Sequence, residues 1–184
     1  MEPWTPELVG GHLAVDLVNT VSWRLDPART VDRIAGPEEL RRWLRAADLV
    51  GPEWRADDDD LPAVRRLREV VHRLLVSVVA RSRPSQKDLD AMWRATVDAR
   101  RHARPRPELP LRWELAPADV ARRLAVSAED LLSDGARLKT LGRCADAGCG
   151  WFFLDTSRSH TRRWCSSADC GNRERARRHY ARNR

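Results

Sequence analysis

Apolar residues recur at helical spacing along most of the first 135 positions. The strongest stripe runs Val64, Leu67, Val70, Val71, Leu74, Leu75, Val78 and Val79. Its i, i+3, i+4, i+7 rhythm predicts a long helix over residues 61–81, the spine of a core. His72 falls off that stripe and is expected to be exposed. Upstream, Leu13, Leu17, Val18 and Val21 mark a shorter helix behind Gly10-Gly11. Between the two, Gly36-Pro37-Glu38-Glu39 has the proline and acids of a helix first turn. Leu40, Trp43, Leu44 and Ala47 would form its buried face, and Gly51-Pro52 would end it. The carboxylates at 57–60 point in several directions along any backbone, which reads as a solvated loop with Asp60 as helix cap.

Downstream, Pro84 stops the spine and Ser85-x-x-Asp88 resembles a capping box. The helix it opens would carry Leu89, Met92, Trp93 and Val97 inward. Three prolines make 104–110 a loop. Residues 111–115 read as one short strand with Trp113 facing inward. A further helix over 117–132 would bury Val120, Leu124, Ala128 and Leu131, with Ser133-Asp134-Gly135 as its stop. Beyond that point the rhythm changes. Residues 151–154 and 161–164 alternate like the strands of a hairpin around 155–159, and 168–182 returns to a helix with Ala176 and Tyr180 on its inner side. The expected fold class is therefore mainly α: a helical N-terminal domain (1–136) followed by a small module (137–184).

All four cysteines of the chain lie in that module, as Cys144-x4-Cys149, then fifteen residues, then Cys165-x4-Cys170. Two chelating loops flanking a hairpin suit a tetrahedral four-thiolate zinc site; two disulfides are the alternative. Knuckle, hairpin and helix in that order are treble-clef-like. Fewer than fifty residues hold a unique fold poorly by hydrophobic burial alone, and a structural Zn2+ would supply the deficit. Four thiolates leave no coordination position for a catalytic water, which favours structure over catalysis. His160 is a weaker competing ligand. The start of the chain lacks the basic and apolar regions of a signal peptide, and no apolar run is long enough for a membrane span. A cytoplasmic protein with reduced thiols is expected.

Charge sharpens the picture. Residues 137–184 hold 12 basic and 4 acidic side chains, net +8, whereas 1–136 hold 22 and 23, net −1. The whole excess of +7 belongs to the cysteine-bearing end, which points to a polyanion. On the terminal helix Arg175, Arg178 and Arg182 share an outward side, while Arg173 and Arg177 lie toward the zinc site. Arg158, Arg162 and Arg163 cluster with His160 at the hairpin tip. Nucleic acid, with double-stranded DNA first, is the leading partner. RNA or a protein is the alternative, with Trp151, Phe152 and Trp164 as possible stacking platforms. One small finger gives little specificity alone, so a homodimer is a reasonable addition. In the N-terminal domain His12, Asp16, Asn19 and Trp23 fall at i, i+4, i+7 and i+11. They could line a ligand pocket, or simply hydrogen-bond neighbouring loops. No nucleophile–base pair or phosphate loop supports an enzyme.

Cys170-Gly171-Asn172-Arg173, following FLDTSRSHTRRWCS, resembles the CGNR zinc finger, with Phe153, Asp155, Ser157, Arg162, Arg163 and Trp164 all in place. The run LAVDLVNT at 13–20 is similar to the opening of the ABATE domain that precedes that finger. The resemblance implies a stress-induced transcription regulator: a mostly helical domain that senses or associates, and a finger that binds DNA. It implies Cys144, Cys149, Cys165 and Cys170 as zinc ligands, and transfers no ligand-binding or catalytic residue to the N-terminal domain.

Overall fold

The computed structural model describes residues 4–182; positions 1–3 and 183–184 of the two expected domain spans lie outside the described residues. The elements run α1 (Leu13–Val18), β1 (Val21–Ser22), β2 (Val31–Asp32), α2 (Pro37–Ala46), α3 (Asp60–Val79) and α4 (Gln86–His102). Then follow β3 (Arg104–Pro105), β4 (Trp113–Glu114), α5 (Val120–Ser133), α6 (Gly135–Lys139), β5 (Leu141–Arg143), β6 (Phe152–Leu154) and α7 (Asn172–Arg182). A π-helical turn, Ser167–Gly171, leads into α7. The strands form three antiparallel two-stranded ribbons, β1·β2, β3·β4 and β5·β6. The protein is mainly α.

Local chemistry accounts for the helix ends. Ser85 accepts the Asp88 backbone N–H at 3.1 Å, the first half of a capping box, and the Asp88 carboxylate accepts from the Ser85 hydroxyl at 2.7 Å. Gly36 is extended and Pro37 opens α2 with Glu38 and Glu39 in its first turn. At α3 the cap falls earlier than Asp60. Asp57 accepts the N–H groups of Asp59 and Asp60, both at 3.0 Å, and Asp60 in return accepts the Asp57 N–H. Asp134 both ends α5 and caps α6, accepting from Ala136 and Arg137.

The spine is as read: Val64, Leu67, Val71, Leu74 and Leu75 of α3 are buried against α1, α4 and α5, with Leu40, Trp43 and Leu44 of α2 and Ile34 completing the cluster. Three inward assignments, those of Leu89, Trp93 and Trp113, are corrected, and Leu89 lies exposed on α4. Trp93 is exposed, because α4 meets α3 and α5 through a narrow stripe centred on Met92 and Ala99. Trp113 is exposed, because the β3·β4 ribbon is two residues long and both its strands are exposed. Val21 leaves the helical stripe for β1, since Asn19 caps the C-terminus of α1. His72 is also corrected: it packs edge-on against Phe152 with ring centroids 5.9 Å apart. Burial there pushes its pKa down to about 4, so the ring is neutral at physiological pH.

The cysteine-bearing end is joined to the helices through β6. Phe152 and Leu154 are buried in the helical core, while Phe153 between them packs on the cysteines. This is the two-residue alternation of a strand with a different core on each face. The hairpin itself differs from expectation. β6 pairs with β5, upstream of the first cysteine pair, so the knuckle sits at the hairpin tip. Residues 161–164 form no strand, because the Arg162 guanidinium occupies the carbonyls of Leu154, Trp164, Cys165 and Val9 at 2.5–3.4 Å. Ala176 and Tyr180 are corrected as well. No described residue of α7 is buried, and the helix projects from the zinc module into solvent.

Candidate metal centre and cationic helix

The four thiols converge as the spacing suggests. Cys144, Cys149, Cys165 and Cys170 are buried and unbridged, with their sulfurs all within 4.8 Å of one another. Cys149 and Cys165 Sγ are 3.7 Å apart, and Cys165 and Cys170 Sγ 3.5 Å. A tetrahedron with Zn–S of about 2.3 Å has edges of about 3.8 Å, so these two separations match those of one zinc ion held by four thiolates. Hydrogen bonds among the thiols hold Cys144 below its ordinary pKa, while bonds with Cys144 and Cys149, and burial, push Cys165 and Cys170 up. Such a cluster cannot carry four charges by itself, whereas a bound dication neutralises half of them. His160 is not among the donors; its ring bonds the Asp155 carbonyl.

Each ligand pair is held by a separate device. The first knuckle closes with the Cys149 N–H on the Asp146 carbonyl, and Cys144 N–H bonds the Trp151 carbonyl. Gly150, at φ +76°, turns the chain from the knuckle into β6; a Cβ there would lie 3.0 Å from that of Arg24. Backbone N–H groups of Arg24 and Leu25 donate to the carbonyls of Cys149 and Gly148, so the knuckle rests on the 23–26 loop. The second pair sits on the π-helical turn that starts α7. Arg173 donates to Cys170 Sγ at 2.8 Å, stacks 4.5 Å from the Trp23 ring centroid, and pairs with Asp169 and with the buried Asp146. Arg177 also reaches Asp146, at 3.5 Å. These contacts partly offset the net −2 of a zinc–tetrathiolate and aim α7.

The stripe at His12, Asp16, Asn19 and Trp23 faces this same module. Asn19 exchanges two hydrogen bonds with the Phe152 backbone, both 2.9 Å, and so stands in for a strand neighbour of β6. Asp16 accepts the Gly10 N–H at 2.7 Å, and the Gly10 carbonyl accepts from Leu154. His12 caps α1 through Nδ1, and its Nε2 lies 3.4 Å from Asp130. The polar atoms of the proposed pocket are thus turned to the chain's own backbone and side chains. Desolvation raises the Asp16 pKa to about 6, against the opposing pull of the Gly10 N–H and the Arg162 charge. The signal for this role was present in the sequence: a polar stripe on an otherwise apolar helix implies partners, and these are the Phe152 backbone for Asn19, the Gly10 backbone for Asp16 and Asp130 of α5 for His12.

The seven arginines singled out divide into two sets. Arg162 and Arg173 are internal struts. Arg158, Arg163, Arg175, Arg178 and Arg182 are exposed. Arg175 bonds the Ser167 carbonyl and Asn172, and Arg178 bonds Glu174 at 2.8 Å. Arg163 lies over Trp164, 5.4 Å from its ring. Of the possible stacking aromatics, Phe152 is fully buried and Trp151 donates to the Val21 carbonyl at 2.9 Å. Sequence reasoning missed Asp146, whose buried carboxylate organises Arg173 and Arg177; an acid between two cysteines was the available sign.

A helical domain sharing its core with a four-thiolate finger, from which a cationic helix projects, defines a zinc-finger protein. The chain belongs to the ABATE family, whose model, described as "Putative stress-induced transcription regulator", matches residues 11–135. The model of the CGNR zinc finger matches residues 140–183. No curated protein matches the chain. The four cysteines are positioned to bind one ion, and the cofactor is structural Zn2+. Among the described residues no helix is long and apolar enough to cross a membrane.

Proposed function

We propose that the protein regulates transcription by binding double-stranded DNA through α7 and the 155–163 loop, with the zinc centre serving as the platform that aims them. The observation that carries this reading is α7 itself. It is anchored at one end by Arg173 on Cys170, yet none of its described residues is buried, and Arg175, Arg178 and Arg182 lie along its exposed length. Cationic residues concentrated on a projecting helix suit the charge of a phosphate backbone and the width of a major groove, which admits a helix. Arg158 and Arg163 extend the same surface. Arg162 and Arg173 support it from within.

Selection of bound genomic fragments by the purified zinc-loaded protein tests the reading, with structured RNA as competitor. Enrichment of a shared duplex sequence that RNA does not displace is the expected result. Preferential displacement by RNA would replace this reading with an RNA-binding one. Recognition by a homodimer would appear as two related half-sites at a fixed spacing.

A further inference from the structure

We propose that the helical domain contains a small-molecule site, independent of the nucleic-acid surface, in the cavity bounded by α3, α4, α5 and α6. The cavity has a volume of about 400 Å³, within the range of ligand pockets. Leu74 and Val78 of α3, Met92 and Trp93 of α4, Leu132 of α5 and Leu138 of α6 form its apolar walls. Its floor is continuous with the core, since Leu74 and Met92 are 4% and 7% exposed, while Trp93 at the mouth is 65% exposed.

The chemistry of the walls selects the ligand. The Ser77 hydroxyl donates to the Leu74 carbonyl at 2.7 Å, and the Glu129 carboxylate is engaged by Arg100 at 2.9 Å. What remains is apolar surface, an aromatic face and the hydroxyl side chains of Ser82, Thr96 and Ser133, with no other charged side chain in the lining. The fitting ligand is a neutral, mainly apolar molecule about the size of a bicyclic aromatic. The recess is lined by side chains of α3, α4, α5 and α6, a shape that suits a small molecule. Exposed Lys87 and Arg94 bound the apolar stripe along α4. The site also adjoins the finger. Leu138 lies two residues before Thr140, whose carbonyl accepts the Asp155 N–H at 2.8 Å. A ligand there touches the segment leading into the zinc module.

The test titrates the neutral fluorophore N-phenyl-1-naphthylamine into the zinc-loaded full chain. Saturable binding of one equivalent is expected, weakened about tenfold or more by Thr96→Trp, which fills the cavity from its rim. Trp93→Ala, at an exposed position, should weaken it similarly without changing the melting temperature or zinc content. Trp113→Leu should leave it unchanged. Absence of saturable binding, or undiminished binding to both cavity variants, would overturn the proposal. So would a concentration-dependent dimer that Trp93→Ala dissolves and that excludes the probe, because the surface would then belong to a second copy.

Discussion

Individual polar side chains, more than apolar ones, explain how the two ends of this chain fit together. Asn19 completes β6, Arg162 replaces a strand, and Asp16 holds Gly10 where Gly10 can hold Leu154. Asp16 does so at a cost that can be measured. Its pKa is about 6 in the folded protein and near 3.8 when unfolded, so the native state binds the proton more tightly. The associated stability is present below pH 4 and lost as pH rises through 6. Asp16→Asn keeps an acceptor for Gly10 and abolishes this dependence. The stability difference between variant and parent should therefore shift in the variant's favour from pH 4 upward, levelling above pH 7 at about 3 kcal/mol. Denaturant unfolding at a series of pH values measures it; a pH-independent difference would show that Asp16 is not buried in charged form.

At the scale of elements, the helical periodicity of the first 135 residues was legible because each helix lays one apolar stripe on a shared core. α3, α5 and the capping box at Ser85 follow directly from it. Short strands were not legible in the same way. The β5·β6 hairpin is three residues long on each side, and both WFFL and TRRW alternate plausibly. WFFL does hold the strand, but its partner is 141–143 and not 161–164, where the Arg162 side chain makes tertiary contacts that no local pattern encodes. Trp93, Trp113 and Tyr180 were misplaced for a related reason: aromatic character predicts burial only where another element covers the residue. The cysteine pairs were legible because chelation demands its spacing locally. Phe152 is the sharpest probe of the β6 junction, since it is fully buried among helices while its neighbour Phe153 packs on the cysteines. Phe152→Ala should destabilise by about 3–5 kcal/mol, and the loss should appear in the helical circular-dichroism transition. A melting temperature close to the parent's would contradict the shared core.

For the whole molecule, β6 contributes to both the zinc centre and the helical core, so the two are expected to unfold together. Removing zinc leaves buried thiolates with no counter-charge, and their rearrangement is expected to disturb β6 and the packing of Phe152 and Leu154. Chelation, or Cys170→Ser, should therefore lower the melting temperature of the helical signal as well as abolish metal binding. Parent-like helical melting after complete zinc loss would mean that the finger folds separately. The same coupling gives the molecule its polarity: a near-neutral body, and a zinc platform from which a cationic helix extends.

The most direct test of that account is the salt dependence of duplex-DNA binding for the parent and for Arg175→Ala/Arg178→Ala/Arg182→Ala. Loss of three phosphate contacts should flatten the slope of log K against log salt by about 2–3, with zinc content and melting temperature unchanged. Arg162→Ala, in contrast, should lower the melting temperature because it removes an internal strut. A triple variant that binds with the parent's affinity and slope would contradict the assignment of α7 as the nucleic-acid-binding element.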